Sequence, residues 1–243
     1  GKYTVVFQFL GFKTQKSEIN VDKLPFNLNA TLVEENISVA EVVISNQENP
    51  ANAIIKSAIA SKKENSKMTD KFTADFYSRG IFRVKDAPEK IFGQKVDEDG
   101  ILDSTGTGIV YLSETVSKIT FQKPDKLKEQ IIASKISGND NGFSYNTAMN
   151  TNYDFYENYI DFNINMISPI ADNAFNYYKY KMEGTFLDDN NNTINKIKVI
   201  PRRDAEPVFE GYIYIIEDTW AIYAVDLDLK GYRIQIPILE TMN

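Results

Sequence analysis

From Lys71 to the end of the chain, apolar and polar residues alternate mainly with a period of two, and that spacing admits little besides half-buried antiparallel strands. The runs "KFTADFYSRGIFRV", "GIVYLSETVSKITF" and "KYKMEGTF" carry it most plainly. In the last, Tyr178, Tyr180, Met182, Gly184 and Phe186 are expected on one face, with Lys179, Lys181, Glu183 and Thr185 on the other. "INKIKVIP" adds a strand through "DDNNNT", whose Asp and Asn tolerate the left-handed backbone of a tight connection. A hairpin of Phe209–Ile216 and Trp220–Leu229 follows, and "YRIQIPIL" is expected as the last strand.

Before Lys71 the pattern differs. "YTVVFQFL", "FNLNATLVEE" and "ISVAEVVIS" are short strand-like runs, so residues 1–45 read as the C-terminal part of a small β-sandwich whose start is expected outside this sequence. Residues 46–70 form a linker and one helix. Asn49 suits an N-cap, Pro50 the first helical position, and Ala51, Ile54, Ile55, Ala58 and Ile59 share a face. Lys62 and Lys63 complement the C-terminal end of the helix dipole. Between the later strands, Gly138–Asn176 is rich in Asn and aromatic residues; short helices are expected where Tyr153, Tyr156 and Ile160 recur, and after Ser168 and Pro169. The fold class is therefore mostly β, or α+β. A truncated β-sandwich precedes a β-rich domain, residues 71–243, of antiparallel strands with a few helices, for which an open half-barrel is one arrangement.

Composition limits the chemistry. The chain has neither His nor Cys, which excludes thiol nucleophiles, zinc-thiolate sites, His general bases and His-containing triads. The net charge is −7, and no Lys or Arg lies between Lys135 and Lys179, a poor footprint for nucleic acid. No apolar stretch is long enough for a transmembrane helix. "DDNNNT" spaces Asp188, Asn190 and Asn192 like the start of a calcium loop, but Thr193 stands where such a loop needs Gly and Val199 where it needs Glu, so turn chemistry is the better reading. "STGTG", Ser104–Gly108, lacks both the order and the His of a nucleophile elbow. Asp97, Glu98 and Asp99 read as a solvated loop. No cofactor, metal or catalytic residue is expected.

The binding candidates are fewer. Arg202 and Arg203 follow a strand directly, and Arg is favoured as an interface anchor. Tyr212 and Tyr214 share one face of their strand with Glu210 and Ile216, while Phe209, Ile213 and Ile215 share the other. Trp220 and Tyr223 lie on the second strand of the same hairpin. With both faces largely apolar, the hairpin suits either a covered sheet or a surface open to lipid. The aromatic and Asn-rich region offers stacking surfaces and amide donors suited to sugars or polar peptides.

Several stretches carry a resemblance. "GKYTVVFQFLGFKTQ" with "PFNLNATLVEENISVAEVVIS" resembles the latter part of the carboxypeptidase regulatory-like domain, a transthyretin-like β-sandwich common in outer-membrane proteins of Bacteroidota. "ENPANAIIKSAIASKK", "GIVYLSETVSKITFQKP", "ASKISGNDNGFSYNTA", "ISPIADNAFNYYKYKMEGTF" and "KVIPRRDAEPVFEGYIYIIEDTWAIYAVDL" are similar to the section that follows in an uncharacterised group of such proteins. The resemblance implies a periplasmic region preceding a C-terminal outer-membrane β-barrel, with other envelope proteins as partners and lipid or glycan as a further ligand. It implies no peptidase activity, because that chemistry needs His and Glu on zinc and this chain has no His. TonB-dependent transporters carry a similar sandwich, but here "NPANAIIKSAI" replaces the plug. A helix followed by antiparallel strands is also similar to the half-barrels that carry lipoproteins, which would make the apolar inner face of Phe209–Leu229 an acyl-chain groove. The expected function is a non-enzymatic binding or scaffolding module.

Overall fold

A computed structural model of the chain describes residues 1–7, 9, 12–34, 49–91, 94–95, 100, 102–137, 146–151, 153–162, 164–234 and 241–242. Near the N-terminus, β1 (Lys2–Phe7) pairs antiparallel with β2 (Gln15–Asn20). Glu34 bridges to Phe12, but the expected strand over residues 26–33 has no strand pairing. Phe26, Leu28 and Val33 remain 37% to 65% exposed, so their alternation finds no surface to bury against. The expected strand at Ile37–Ser45 lies outside the described residues.

The helix forms as its sequence dictates. α1 (Pro50–Asn65) is capped by Asn49, whose side-chain oxygen accepts from the Ala51 N–H at 3.0 Å. Ala51, Ile55, Ala58 and Lys62 are its buried positions, one stripe at helical spacing. That stripe lies on a five-stranded antiparallel sheet ordered β10 (Tyr178–Leu187), β11 (Thr193–Pro201), β12 (Glu210–Ile216), β13 (Ile222–Lys230) and β14 (Thr241–Met242). Tyr178, Tyr180, Ile197, Val199, Ile213 and Ile215 form the inner face beneath α1, none more than 4% exposed.

The period-two expectation for β10 holds only as far as Met182. Met182 faces Ile197 and Gly184 faces Lys196, so Glu183 is an extra residue, a β-bulge. One inserted residue reverses the alternation. Phe186 therefore leaves the inner face and packs on the opposite one with Ile194 and Tyr214. The connection to β11 follows the turn reading: Asp188 Oδ1 accepts from the Asn190 and Asn192 N–H groups at 2.9 and 2.8 Å, and Asn191 takes a φ of 62°.

A second sheet is built from long strands in the order β3 (Lys71–Val84), β6 (Gly108–Gln122) and β7 (Lys126–Ser137). Its covered face is rich in hydroxyls: Ser113, Thr115 and Ser117 of β6 are fully buried. Asn146 and Ala148 cover part of it, with the Asn146 amide donating to Ser113 O at 3.0 Å and the Ala148 N–H to Glu129 Oε2 at 2.9 Å. Between these strands, β4 (Lys90–Ile91) pairs with β5 (Gln94–Lys95). Asp103 orders the "STGTG" loop by accepting from the backbone N–H groups of Thr105 and Thr107.

The helices expected between Gly138 and Asn176 are not found among the described residues. Tyr153–Asn158 is a run of turns leading into β8 (Tyr159–Asp161), which pairs with β9 (Asn165–Ile167), and only a 3-10 turn, Ala174–Asn176, follows Ser168 and Pro169. Long-range bonds replace helical ones here: the hydroxyl of Tyr178 donates to Ile167 O at 2.5 Å and that of Tyr180 to Pro169 O at 2.7 Å. The last expected strand is corrected at its start, and its remaining residues, 235–239, lie outside the described residues. Gly231–Ile234 is a 3-10 turn, because Arg233 folds back into an ion-paired cluster with Asp204 and Glu210. β14 lies beside β13 and approaches β3, so the two large sheets meet there without closing into a barrel among the described residues. No described helix is long and apolar enough to cross a membrane.

Candidate functional site

The six candidate residues separate into three places. Arg202 and Arg203 sit in the β11–β12 connection, Tyr212, Tyr214 and Tyr223 on the outer face of the hairpin, and Trp220 in its turn. The connection and the turn are at opposite ends of β12, about 20 Å apart for a strand of that length.

Trp220 is a packing residue. It holds a φ of 58°, which bulky side chains avoid, and packs against the inner cluster beneath α1. Asn65 at the end of α1 donates to Thr219 O at 3.0 Å and fastens the same turn. The inner face of Phe209–Leu229, one candidate for a lipid groove, is filled: Ile213 and Ile215 are fully buried in one cluster with Ile55 and Ala58 of α1.

The outer face carries the tyrosines in a different setting. Tyr214 is 3% exposed and packs edge-on to Phe186, which also meets the Tyr223 ring with centroids 6.3 Å apart. Burial pushes the Tyr214 hydroxyl up to about 12, so it stays protonated at neutral pH. Beside this apolar half, Lys196 Nζ stands 4.5 Å from the centre of the Tyr212 ring and 5.8 Å from that of Tyr214, a cation–π pairing absent from the initial candidates. Lys181 and Lys198 face each other directly across β10 and β11. The bulged Glu183 offsets that repulsion by accepting from Lys181 at 2.8 Å.

Two carboxylates face one another on the same hairpin, Glu210 and Asp228. Burial raises the Asp228 carboxyl, Glu210 and Asp226 raise it further, and Lys230 opposes them. Glu210 is held by Lys230 at 3.1 Å and by Arg233 at 3.0 Å. Its charge is met within the fold. Arg233 is the center of this network, nearly fully buried, and it also donates to the backbone carbonyls of Asp204 and Val208. The partner that gives "PRRD" its largest structural role is thus Asp204, whose carboxyl is held below the usual range by hydrogen bonds from Tyr232 and Arg233. Sequence offered no signal for this, because Arg233 lies beyond the hairpin.

Arg203 pairs with Glu206, Nη2 to Oε1 at 2.6 Å. Arg202 instead gives Nε to the carbonyls of Phe175 and Tyr178, at 2.8 and 3.0 Å. Both arginines line an open cavity of about 530 Å³ with Phe175, Asn176 and Tyr177.

A further exposed apolar surface lies elsewhere. On the three-stranded sheet, Tyr77 of β3 lies directly opposite Val116 of β6, Ile81 shares their face, and the three are 60%, 40% and 40% exposed on the side away from the buried Ser113, Thr115 and Ser117. Among the described residues no group of three or more acidic side chains is placed to hold a metal ion.

A family model described as "Family of unknown function (DUF5686)" matches residues 54–243, beginning within α1 and including both large sheets. No curated protein and no solved structure matches the chain.

Proposed function

The chain belongs to the DUF5686 family, described as one of unknown function, and on that premise we propose that it is a non-enzymatic binding or scaffolding module on the periplasmic face of an outer-membrane β-barrel protein. The observation that carries this reading is the exposed apolar surface of the three-stranded sheet. Soluble domains seldom leave several large apolar side chains clustered on one sheet unless a partner covers them. Here Tyr77, Ile81 and Val116 share the uncovered face, and Tyr77 is more than half exposed.

The envelope setting comes from the resemblance of the N-terminal stretches to a carboxypeptidase regulatory-like domain. A protein partner fits this surface better than an acyl chain does. Lys118 with Asp75, and Glu114 with Tyr77 and Arg79, interleave charge among the apolar groups, as at a protein interface.

The test is site-specific photo-crosslinking of the full-length protein in its native membranes, with the reactive group placed in turn at Tyr77 and Val116. The reading expects one adduct of defined mass from both positions, lost when Ile81→Asp is introduced while the melting temperature holds. No adduct from either position, or the same adducts from an unrelated exposed position such as Leu187, would overturn it.

A further inference from the structure

Arg202 is held in a way that leaves its charge unmet. Its backbone N–H donates to Tyr177 O at 2.8 Å, and its Nε–H is shared between Phe175 O and Tyr178 O at 2.8 and 3.0 Å. These bonds fix the guanidinium at the end of the Ala174–Asn176 turn and use only its Nε edge. Among the described residues no carboxylate pairs with it, and its two terminal nitrogens make no hydrogen bond to protein. Arg203, the next residue, is already bound to Glu206. In a chain of net charge −7 this is an immobilised cation without a counter-ion among the described residues, on the wall of an open cavity of about 530 Å³.

The geometry points to an oxyanion site: the terminal N–H groups of Arg202 grip a phosphate group in the cavity bidentately, and the Asn176 side-chain amide adds a donor. Two parallel N–H groups on a planar fork match two oxygens of such a group, and the bonds to Phe175 and Tyr178 remove much of the rotamer entropy that gripping a ligand costs a free arginine. This site stands whether or not the three-stranded sheet binds a protein.

The test is a titration of the isotopically labelled chain with inorganic phosphate, followed by NMR at the Arg202 Nε–H and the backbone amides of Asn176 and Tyr177. The expected result is a saturable shift in the wild type and in the distant charge control Lys126→Gln. In Arg202→Lys, affinity is expected to be at least roughly tenfold weaker, since a lysine keeps the charge and loses the fork. Arg202→Lys also retains a donor for the turn carbonyls, which guards against simple unfolding, and its melting temperature is checked alongside. The absence of a saturable shift in the wild type, or full affinity in Arg202→Lys, overturns the site. Vesicles of phosphatidylglycerol identify the source of the phosphate. Cosedimentation that Arg202→Lys abolishes assigns a lipid headgroup, and phosphate shifts without cosedimentation assign a soluble phosphate ester.

Discussion

Lys62 Nζ lies 2.7 Å from Asp172 Oδ1, although only 7% of the lysine side chain is exposed. The ammonium also donates to Asn158 Oδ1 at 2.7 Å, and Asn158 returns its amide to the second Asp172 oxygen at 3.0 Å. The last turn of α1 is thereby tied to the segment that carries Ser168 and Pro169. Sequence placed Lys62 at the C-terminal end of the helix for the sake of the dipole; packing has given it a second task.

Replacing Asp172 by Asn is expected to cost about 1 kcal/mol at neutral pH, less than for a fully buried pair because Asp172 itself is mostly in solvent. The sign with pH follows from the hydrogen bond from Lys62, and then that from Asn158, holding the Asp172 carboxyl below its ordinary value. A depressed carboxylate contributes its stability above the ordinary carboxylate range and loses it as pH falls through the depressed value. Melting temperatures of wild type and Asp172→Asn are therefore expected to differ at pH 7 and converge in strong acid. A gap that is constant with pH would assign the effect to packing.

The Tyr178 hydroxyl donates to Ile167 O and accepts from the Phe209 N–H at 3.1 Å. Tyr178→Phe keeps the ring and strands both backbone groups away from water. A loss of about 1–3 kcal/mol is expected in urea unfolding, with faster hydrogen exchange at Phe209. Unchanged exchange there would show that another group satisfies the amide. Burial raises the Tyr178 hydroxyl well above the usual phenol range, so this loss is expected to be flat with pH up to mildly alkaline solution.

Gly211 has a φ of 132°, and a Cβ built on it would lie 2.2 Å from the Asp226 carbonyl oxygen. Neither the conformation nor the space admits a side chain, and the neighbour is backbone of β13. Gly211→Ala is expected to destabilise by about 2–4 kcal/mol, read from thermal unfolding. Gly100, with φ at 69° and open space around it, is the comparison position: strain without a clash, and a smaller loss.

Much of this architecture was legible because local chemistry and tertiary structure agree. Asn49 and Pro50 start α1, and Asp188 to Asn192 make the turn that their side chains favour. The two faces of β12 separate Ile213 and Ile215 from Tyr212 and Tyr214 as the alternation requires. What was illegible depends on single insertions or on distant partners. Glu183 looks like any polar strand residue, and its bulge is set by the register against Ile197 and Lys196. Tyr153, Tyr156 and Ile160 have helical spacing, yet Tyr156 is used to accept the Ile222 N–H across the fold. Arg202 was legible as a candidate, but one of its anchoring carbonyls, Phe175 O, comes from a turn that the sequence read as a helix, and the other, Tyr178 O, from the first residue of β10.

The cover over the hydroxyl-rich sheet rests on one glycine. A Cβ at Gly80 would lie 2.3 Å from Asn146 Oδ1, and Asn146 is the buried amide that donates to Ser113 O. The Gly80 backbone is ordinary, so Gly80→Ala strains no strand and acts only by displacing Asn146. The expected cost is about 1–2 kcal/mol, the loss of one buried hydrogen bond with its acceptor left unsatisfied. Because Ala148 is tied by its N–H to Glu129, whose other oxygen accepts from Ser117 at 2.7 Å, a shift of Asn146 is expected to loosen this second bond too. Hydrogen exchange at Ala148 should accelerate in Gly80→Ala while the amides of β6 keep their protection. Glu129→Gln should accelerate Ala148 alone and leave Asn146 seated. If Gly80→Ala left Ala148 exchange unchanged, Asn146 and Ala148 would be independent contacts, and the segment would be held to the sheet mainly by Glu129.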